Sequence, residues 1–229
     1  MVRRAANLTR GGGDRNSIAG PELVRLTRMP AVAALDARVS VARAHLVLLL
    51  QLAYSGELGA ARAYAGHAAS LRDPAERAEL RRTCRDEIRH RRCLRRMLAG
   101  LGAAPDPRRE SKMDFVGRSI SLFCQVGGWF FPMYGAGRLE SQNIREYEHA
   151  ARLAAVARCE QFIEELLVMA EVEWDHERFF REKASSHPLW RVVPHWPVPA
   201  PRSSIRDDFA AFLASDRPIE PVVAPWLVR

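Results

Sequence analysis

Asp86-Glu87-Ile88-Arg89-His90 and, further along the chain, Glu173-Trp174-Asp175-His176 each place a glutamate three residues before a histidine. Residues three apart share a helix face, so each pair can aim one carboxylate and one imidazole at the same point. A single Glu-x-x-His is common by chance. Here each is preceded, roughly 30 residues upstream, by a further glutamate, Glu57 and Glu140.

Working outward from these residues, apolar periodicity predicts four long helices. The first covers residues 38–71, with Leu46, Leu50, Ala53, Glu57, Ala61, Tyr64 and Ala68 on one face, and Asp73-Pro74 ends it. The second covers residues 75–101, with Leu80, Cys84, Glu87, His90, Leu94 and Leu98 inward. Gly100 and Gly102 stop it, and Pro105 and Pro107 read as barring its resumption. The third covers residues 115–157, interrupted near Gly127-Gly128 and Pro132, with Met133, Gly137, Glu140, Ile144, Tyr147 and Ala151 aligned. The fourth covers residues 160–185, with Phe162, Leu166, Met169, Glu173, His176 and Phe180 aligned. In every segment the glutamate or histidine lies on the apolar stripe. The expected fold is therefore all-α, a four-helix bundle with its first two helices antiparallel. An irregular crossover over residues 103–116, extended at about 3.3 Å per residue, would span the length of a bundle helix.

The chain has 229 residues, 48% of them apolar, enough for one core flanked by tails. The expected division is a disordered or irregular lead over residues 1–37, the bundle over 38–186, and an extension over 187–229 packed on it. That extension holds eight of the fourteen prolines plus Trp190, Trp196 and Trp226, with a short helix expected near residues 205–213. The net charge of +8 is carried almost wholly by arginine, since Lys112 and Lys183 are the only lysines. Arginine beside abundant alanine reflects coding bias, so no nucleic-acid partner is expected. Cys84, Cys93, Cys124 and Cys159 have no metal-binding spacing, which suits reduced thiols in the cytoplasm. Nineteen uncharged residues lie between Arg118 and Arg138, diluted by serines, glycines and Pro132. They read as a buried helix ahead of a contact with a membrane surface, and further ahead of a true span.

Burying four glutamates is costly unless their charge is compensated. Two divalent cations would do so, bridged by Glu87 and Glu173, with Glu57 and Glu140 as terminal ligands and His90 and His176 giving one nitrogen each. Mixed carboxylate and imidazole ligands suit iron, with manganese as the alternative. The competing reading puts all six on solvated faces. Asp86 or Asp175 would accept the second N–H of a metal-bound imidazole, or else lie on the surface. Tyr64 and Tyr147, two turns beyond Glu57 and Glu140, either line the pocket as catalytic side chains or fill the core. Arg81, Arg85, Arg89, Arg92 and Arg96 form either a solvated face or the seat of an anionic reductase, carrier protein or membrane headgroup.

With these residues in place, the chain resembles ferritin-like di-iron carboxylate proteins, most closely the demethoxyubiquinone hydroxylase family. The likeness runs through Ser55-Gly56-Glu57-Leu58-Gly59-Ala60, then Tyr64, Gly66 and His67. It continues in Asp86-Glu87-Ile88-Arg89-His90, Glu140 and the Glu173/His176 pair, covering residues 46–180. The resemblance implies two iron ions, O2 activation and hydroxylation of a quinone-like substrate at the inner face of a membrane. Two departures stand out: Tyr54-Ser55 replaces the family's His-Ala, and the tail has no counterpart. Lacking a Cys-x-x-Cys or rubredoxin-like segment, such an oxygenase would draw electrons from an external reductase. Two other classes remain open: a ferritin-type ferroxidase in an oligomeric cage, and a metal-free helical scaffold.

Overall fold

Asp73 accepts a hydrogen bond from the Glu76 N–H (2.8 Å), and Pro74 occupies the first helical position. This combination of cap and proline launches a helix directly from the preceding turn. In the computed structural model, which describes residues 31–215, it joins helices α1 (Ala31–Ser70) and α2 (Pro74–Gly100). Four more helices follow: α3 (Pro107–Val126), α4 (Phe130–Val156), α5 (Ile163–Ser185) and α6 (Ser204–Leu213). Short 3-10 turns occupy Glu160–Phe162 and Pro188–Val192, and no strand occurs among the described residues. The fold is all-α.

Two apolar clusters form the core. The larger gathers Leu46 and Leu50 of α1, Leu94 and Leu98 of α2, Ile144 and Ala151 of α4, and Leu166 and Met169 of α5. The smaller gathers Tyr64 and Ala68 of α1, Leu80 of α2, Met133 of α4 and Phe180 of α5. Along α1 and α5 the chain passes from the larger cluster to the smaller; along α2 and α4 it passes the other way. Helices α2 and α4 therefore run in the same sense, and the link between them must return the full length of the core. Between the two clusters, at matching heights on all four helices, sit Glu57, Glu87, Glu140 and Glu173.

That return link differs from the sequence reading. Residues 103–116 were expected to be irregular, yet α3 begins at Pro107. Asp106 accepts hydrogen bonds from the N–H groups of Arg108 and Arg109, and Pro107 falls in the first turn, where a missing N–H costs nothing. The proline starts a helix that it was read as preventing. The single interrupted helix expected over residues 115–157 is in fact two, α3 and α4. Their break carries Gly128 at φ +74°, a left-handed conformation that glycine adopts without steric cost. Of the expected N-terminal lead, residues 31–37 belong to α1; the remainder lies outside the described residues.

Glycines on both helices let α3 lie close along α1. A Cβ on Gly66 would stand 2.6 Å from Ser121 Cα, and one on Gly117 would stand 2.8 Å from Gly59 Cα. Polar contacts fasten the pair: Arg62 Nε bonds Asp114 Oδ1 (2.9 Å), and Gln125 Nε2 donates to the Gly66 carbonyl (2.8 Å). The outer side of α3 is bare, with Phe115, Leu122 and Val126 respectively 72%, 71% and 81% exposed. No helix among the described residues is long and apolar enough to cross a membrane.

Beyond α5 the chain lies against the helices that precede it. Trp196 is buried beside Gly137 and donates its indole N–H to Glu177 Oε1 (2.7 Å). Trp174 donates to the Ala200 carbonyl (2.8 Å), and Arg206 pairs with Glu171 and Glu164. Ile205 and Phe209 of α6 join the larger apolar cluster. Trp226 lies outside the described residues.

Candidate metal centre

Each ligand candidate is delivered by the apolar stripe that buries it. Glu57 comes from α1, Glu87 and His90 from α2, Glu140 from α4, and Glu173 and His176 from α5. None of the six is more than 4% exposed, which excludes the reading that places them on solvated faces. Their donor atoms fall into two sets, each spanning less than 4.8 Å: Glu57, Glu87, His90 and Glu173, then Glu87, Glu140, Glu173 and His176. Glu87 and Glu173 belong to both. Two three-residue spacings and two lone glutamates thus converge on a pair of adjoining four-ligand pockets.

Both imidazoles turn Nδ1 toward the carboxylates. His90 Nδ1 is 3.0 Å from Glu173 Oε1 and 3.5 Å from Glu87 Oε2; His176 Nδ1 is 3.4 Å from both Glu87 Oε1 and Glu173 Oε2. Yet Glu87 Oε1 and Oε2, Glu173 Oε1 and Oε2, Glu57 Oε2 and both Nδ1 atoms make no hydrogen bond. So many buried polar atoms without a partner are costly in an apolar core. They are the donor set that two divalent cations need, four oxygen-bearing and two nitrogen-bearing side chains with the shared carboxylates central. The residues fit the group.

The electrostatics follow from burial and mutual charge. Burial, reinforced by the charges of Glu87 and Glu173, holds Glu57 and Glu140 well above the usual carboxylate range. Burial also opposes ionisation of Glu87 and Glu173, but Glu57, His176 and His90 outweigh it at Glu87, and His176 and His90 outweigh it at Glu173, holding both low. The histidines are correspondingly raised, with the facing carboxylates overcoming desolvation. These directions favour charged imidazoles beside ionised Glu87 and Glu173, and the protonated form of the outer pair.

The residues around this layer complete it. His176 Nε2 stands 3.5 Å from Asp86 Oδ2, and Asp86 is fixed from outside by Arg89 (2.7 Å). Asp175, the other candidate for this role, instead points outward and pairs with Arg202 (3.5 Å). Tyr64 and Tyr147 neither stand free in a pocket nor merely fill the core. Tyr64 donates to Glu140 Oε1, and Tyr147 donates to Glu57 Oε1. Sequence reasoning missed Asn143, which donates to Glu140 Oε2 (2.7 Å); its place one turn beyond Glu140 was the available signal. His67 was noted only through the family resemblance. It is buried, its Nε2 has no partner, and desolvation lowers it to about 4, so it is neutral at physiological pH.

A cavity of about 380 Å³ opens onto one side of the layer, walled by α1, α3 and α4. Its apolar lining includes Leu52, Ala60, Met113, Val116, Ile120 and Leu139. Glu57, Tyr64, Asn143 and Tyr147 form its polar floor, with His67 and Cys124 also on its wall. Comparison with family models, with curated proteins and with solved structures gives no match to this chain.

Proposed function

We propose that this chain is a ferritin-like, non-haem di-iron oxidoreductase, akin to demethoxyubiquinone hydroxylases, that activates O2 to hydroxylate or oxidise an organic, quinone-like substrate. The observation that carries this reading is the pair of four-ligand pockets sharing Glu87 and Glu173. The core layers support the bundle assignment. Helices α2 and α4 run in the same sense and are joined by a full-length return, as in ferritin-like folds, although the return here is helical.

When bound, two iron ions, or manganese in their place, supply electrons to O2 and polarise it. The protein's own residues do the rest. Glu87 and Glu173 span the two pockets, while Glu57 and Glu140 close the outer positions. The tyrosine hydroxyls and Asn143 hold those outer carboxylates in place, and Asp86, 3.5 Å from His176 Nε2, would orient that ring with Nδ1 toward Glu87 and Glu173. The apolar helix stripes keep bulk water from the layer. The substrate enters the α1–α3–α4 cavity, whose lining accepts a largely apolar molecule and whose floor presents the Glu57 side of the centre. The bare outer face of α3, flanked by Lys112 and Arg118, would rest on a membrane surface and open the cavity toward apolar substrates. Electrons come from an external donor.

The decisive measurement is the metal content of protein purified without added metal, with an optical spectrum recorded after Fe(II) loading and exposure to O2. About two irons per chain and an oxo-bridged absorption are expected, both lost in Glu87→Ala. A folded wild-type protein that binds no metal would overturn the reading. Fe(II) oxidation that continues into a growing mineral core would replace it with ferroxidase storage.

A further inference from the structure

The outward face of α2 has no use in the site as described. Arg81, Arg85, Arg92 and Arg95 recur along it at helical spacing, all exposed, with Ile88 exposed among them. None of these four arginines makes an ion pair or hydrogen bond with any described residue. The acidic residues of the same helix are already engaged: Glu76 with Lys183, Glu79 with Arg82, Asp86 with Arg82 and Arg89, and Glu87 in the buried layer. The result is a band of uncompensated positive charge about 20 Å long, at 1.5 Å per residue.

This band lies on the helix that supplies Glu87 and His90. A group docked there is separated from the ligand layer by little more than one helix thickness, about 10 Å. A polar path also leads inward at the edge of the band. Arg89 holds Asp86 (2.7 Å), and Asp86 faces His176 Nε2 (3.5 Å). Arg82, also exposed, reaches the same carboxylate (3.6 Å).

We propose that the Arg81–Arg85–Arg92–Arg95 face of α2 is the docking site for an acidic electron-carrier protein that reduces the centre. The inference rests on the di-metal reading above and names the partner that reading requires. Charge complementarity selects the occupant: an array of unpaired guanidinium groups along one helix face steers and orients a carboxylate-rich surface. A membrane suits this face poorly, because Ile88 is its only exposed large apolar side chain, whereas α3 offers several.

The test uses the full chain and an acidic [2Fe–2S] ferredoxin as probe. Binding is measured by calorimetry on chelator-treated protein at about 20 mM and about 300 mM salt. Reduction is measured by stopped flow on the iron-loaded protein. The quadruple variant Arg81→Glu, Arg85→Glu, Arg92→Glu, Arg95→Glu should keep its helical circular dichroism and its metal content. It should bind the ferredoxin at least about tenfold more weakly and accept electrons correspondingly more slowly, and added salt should weaken wild-type binding similarly. Reversal of Arg138 and Arg145 on α4 should leave both measurements unchanged. Equal loss in the two variants, no loss in the α2 variant, equal displacement of ferredoxin by duplex DNA, or docking without electron delivery would each overturn the proposal. Failure of the di-metal reading would show separately, as absence of bound iron in the wild type.

Discussion

The Tyr64 hydroxyl, carried by α1, donates to Glu140 on α4, and Tyr147 on α4 returns the bond to Glu57 on α1. Each tyrosine lies seven residues beyond the glutamate of its own helix and serves the glutamate of the other. The two outer carboxylates are thus cross-braced, and each keeps its second oxygen free of tyrosine.

Removing one brace should loosen one outer ligand without harming the fold. Tyr64→Phe retains the ring that stacks on Phe180 at 5.5 Å and deletes only the hydroxyl. Groups that orient metal ligands usually contribute about 10- to 100-fold in affinity. Tyr64→Phe and Tyr147→Phe should each weaken the second of two Fe(II) binding steps by about that factor, with Tm little changed. A titration indistinguishable from wild type would mean that the hydroxyls only fill space.

Metal uptake should release protons in proportion to the charge it replaces. Without metal, burial favours the protonated form of Glu57 and Glu140, and the facing carboxylates favour the charged form of His90 and His176. Ligation needs ionised carboxylates and neutral imidazoles. Loading two dications near neutral pH should therefore expel protons, and apparent affinity should rise with pH. Calorimetry in buffers of differing ionisation enthalpy measures the number; uptake without proton release would contradict this charge assignment.

The same shifts fix how stability depends on pH when metal is withheld. His90 and His176 are raised in the folded state, so their contribution is fully present below the unfolded value of about 6.5 and fades as pH rises through the folded value. Glu57 and Glu140 act in the same direction from about 4.5 upward. Glu87 and Glu173, held low, act in the opposite direction and lose their contribution as pH falls below about 4.5. Above about pH 6.5 only the raised groups act, so stability falls with rising pH until their folded values are passed. Chelated protein should therefore lose several degrees of Tm between about pH 6.5 and pH 8.5. Metal-loaded protein should not, and a flat profile for the chelated form would be inconsistent with imidazolium groups in the layer.

The buried layer of carboxylates was legible because periodicity placed them inward: Glu57, Glu87, Glu140 and Glu173 each interrupt an otherwise apolar stripe. Periodicity also placed α1, α2 and α5 within a few residues of their ends, apart from the N-terminal turns of α1. The α3 helix was not legible. Its outward face carries Phe115, Leu122 and Val126, so apolar periodicity gives no inward stripe, and Pro107 reads as a stop unless Asp106 before it is recognised as a helix cap. The cross-bracing of Tyr64 and Tyr147 was equally hidden. A seven-residue spacing shows that each shares a face with a glutamate, but not that it reaches across to the other one. Asp86 and Asp175 could not be ranked for a similar reason, since which of them faces a histidine depends on the rotation of α2 against α5.

Gly117 tests whether α3 is the wall of the cavity. A Cβ there would meet Gly59 Cα and Arg62 Cβ, both at 2.8 Å, and backbone cannot yield as a flexible side-chain end does. Overpacking of this kind costs about 1–3 kcal/mol, and the strain is relieved by moving α3 away from α1. Gly117→Val should therefore lower Tm by several degrees and raise hydrogen exchange along α3 selectively. The amides of α2, α4 and α5 around the ligand layer should stay protected, and metal content should be retained. Turnover of an apolar substrate should fall while O2 consumption uncoupled from product rises, because the cavity loses its wall and the ligands do not. Gly135→Ala, where nothing lies within 4 Å of the added carbon, should instead be neutral or stabilising by about 0.5–1 kcal/mol. Uniform destabilisation of all helices by Gly117→Val, or loss of metal along with exchange protection of α3, would show that α3 is an integral part of the centre.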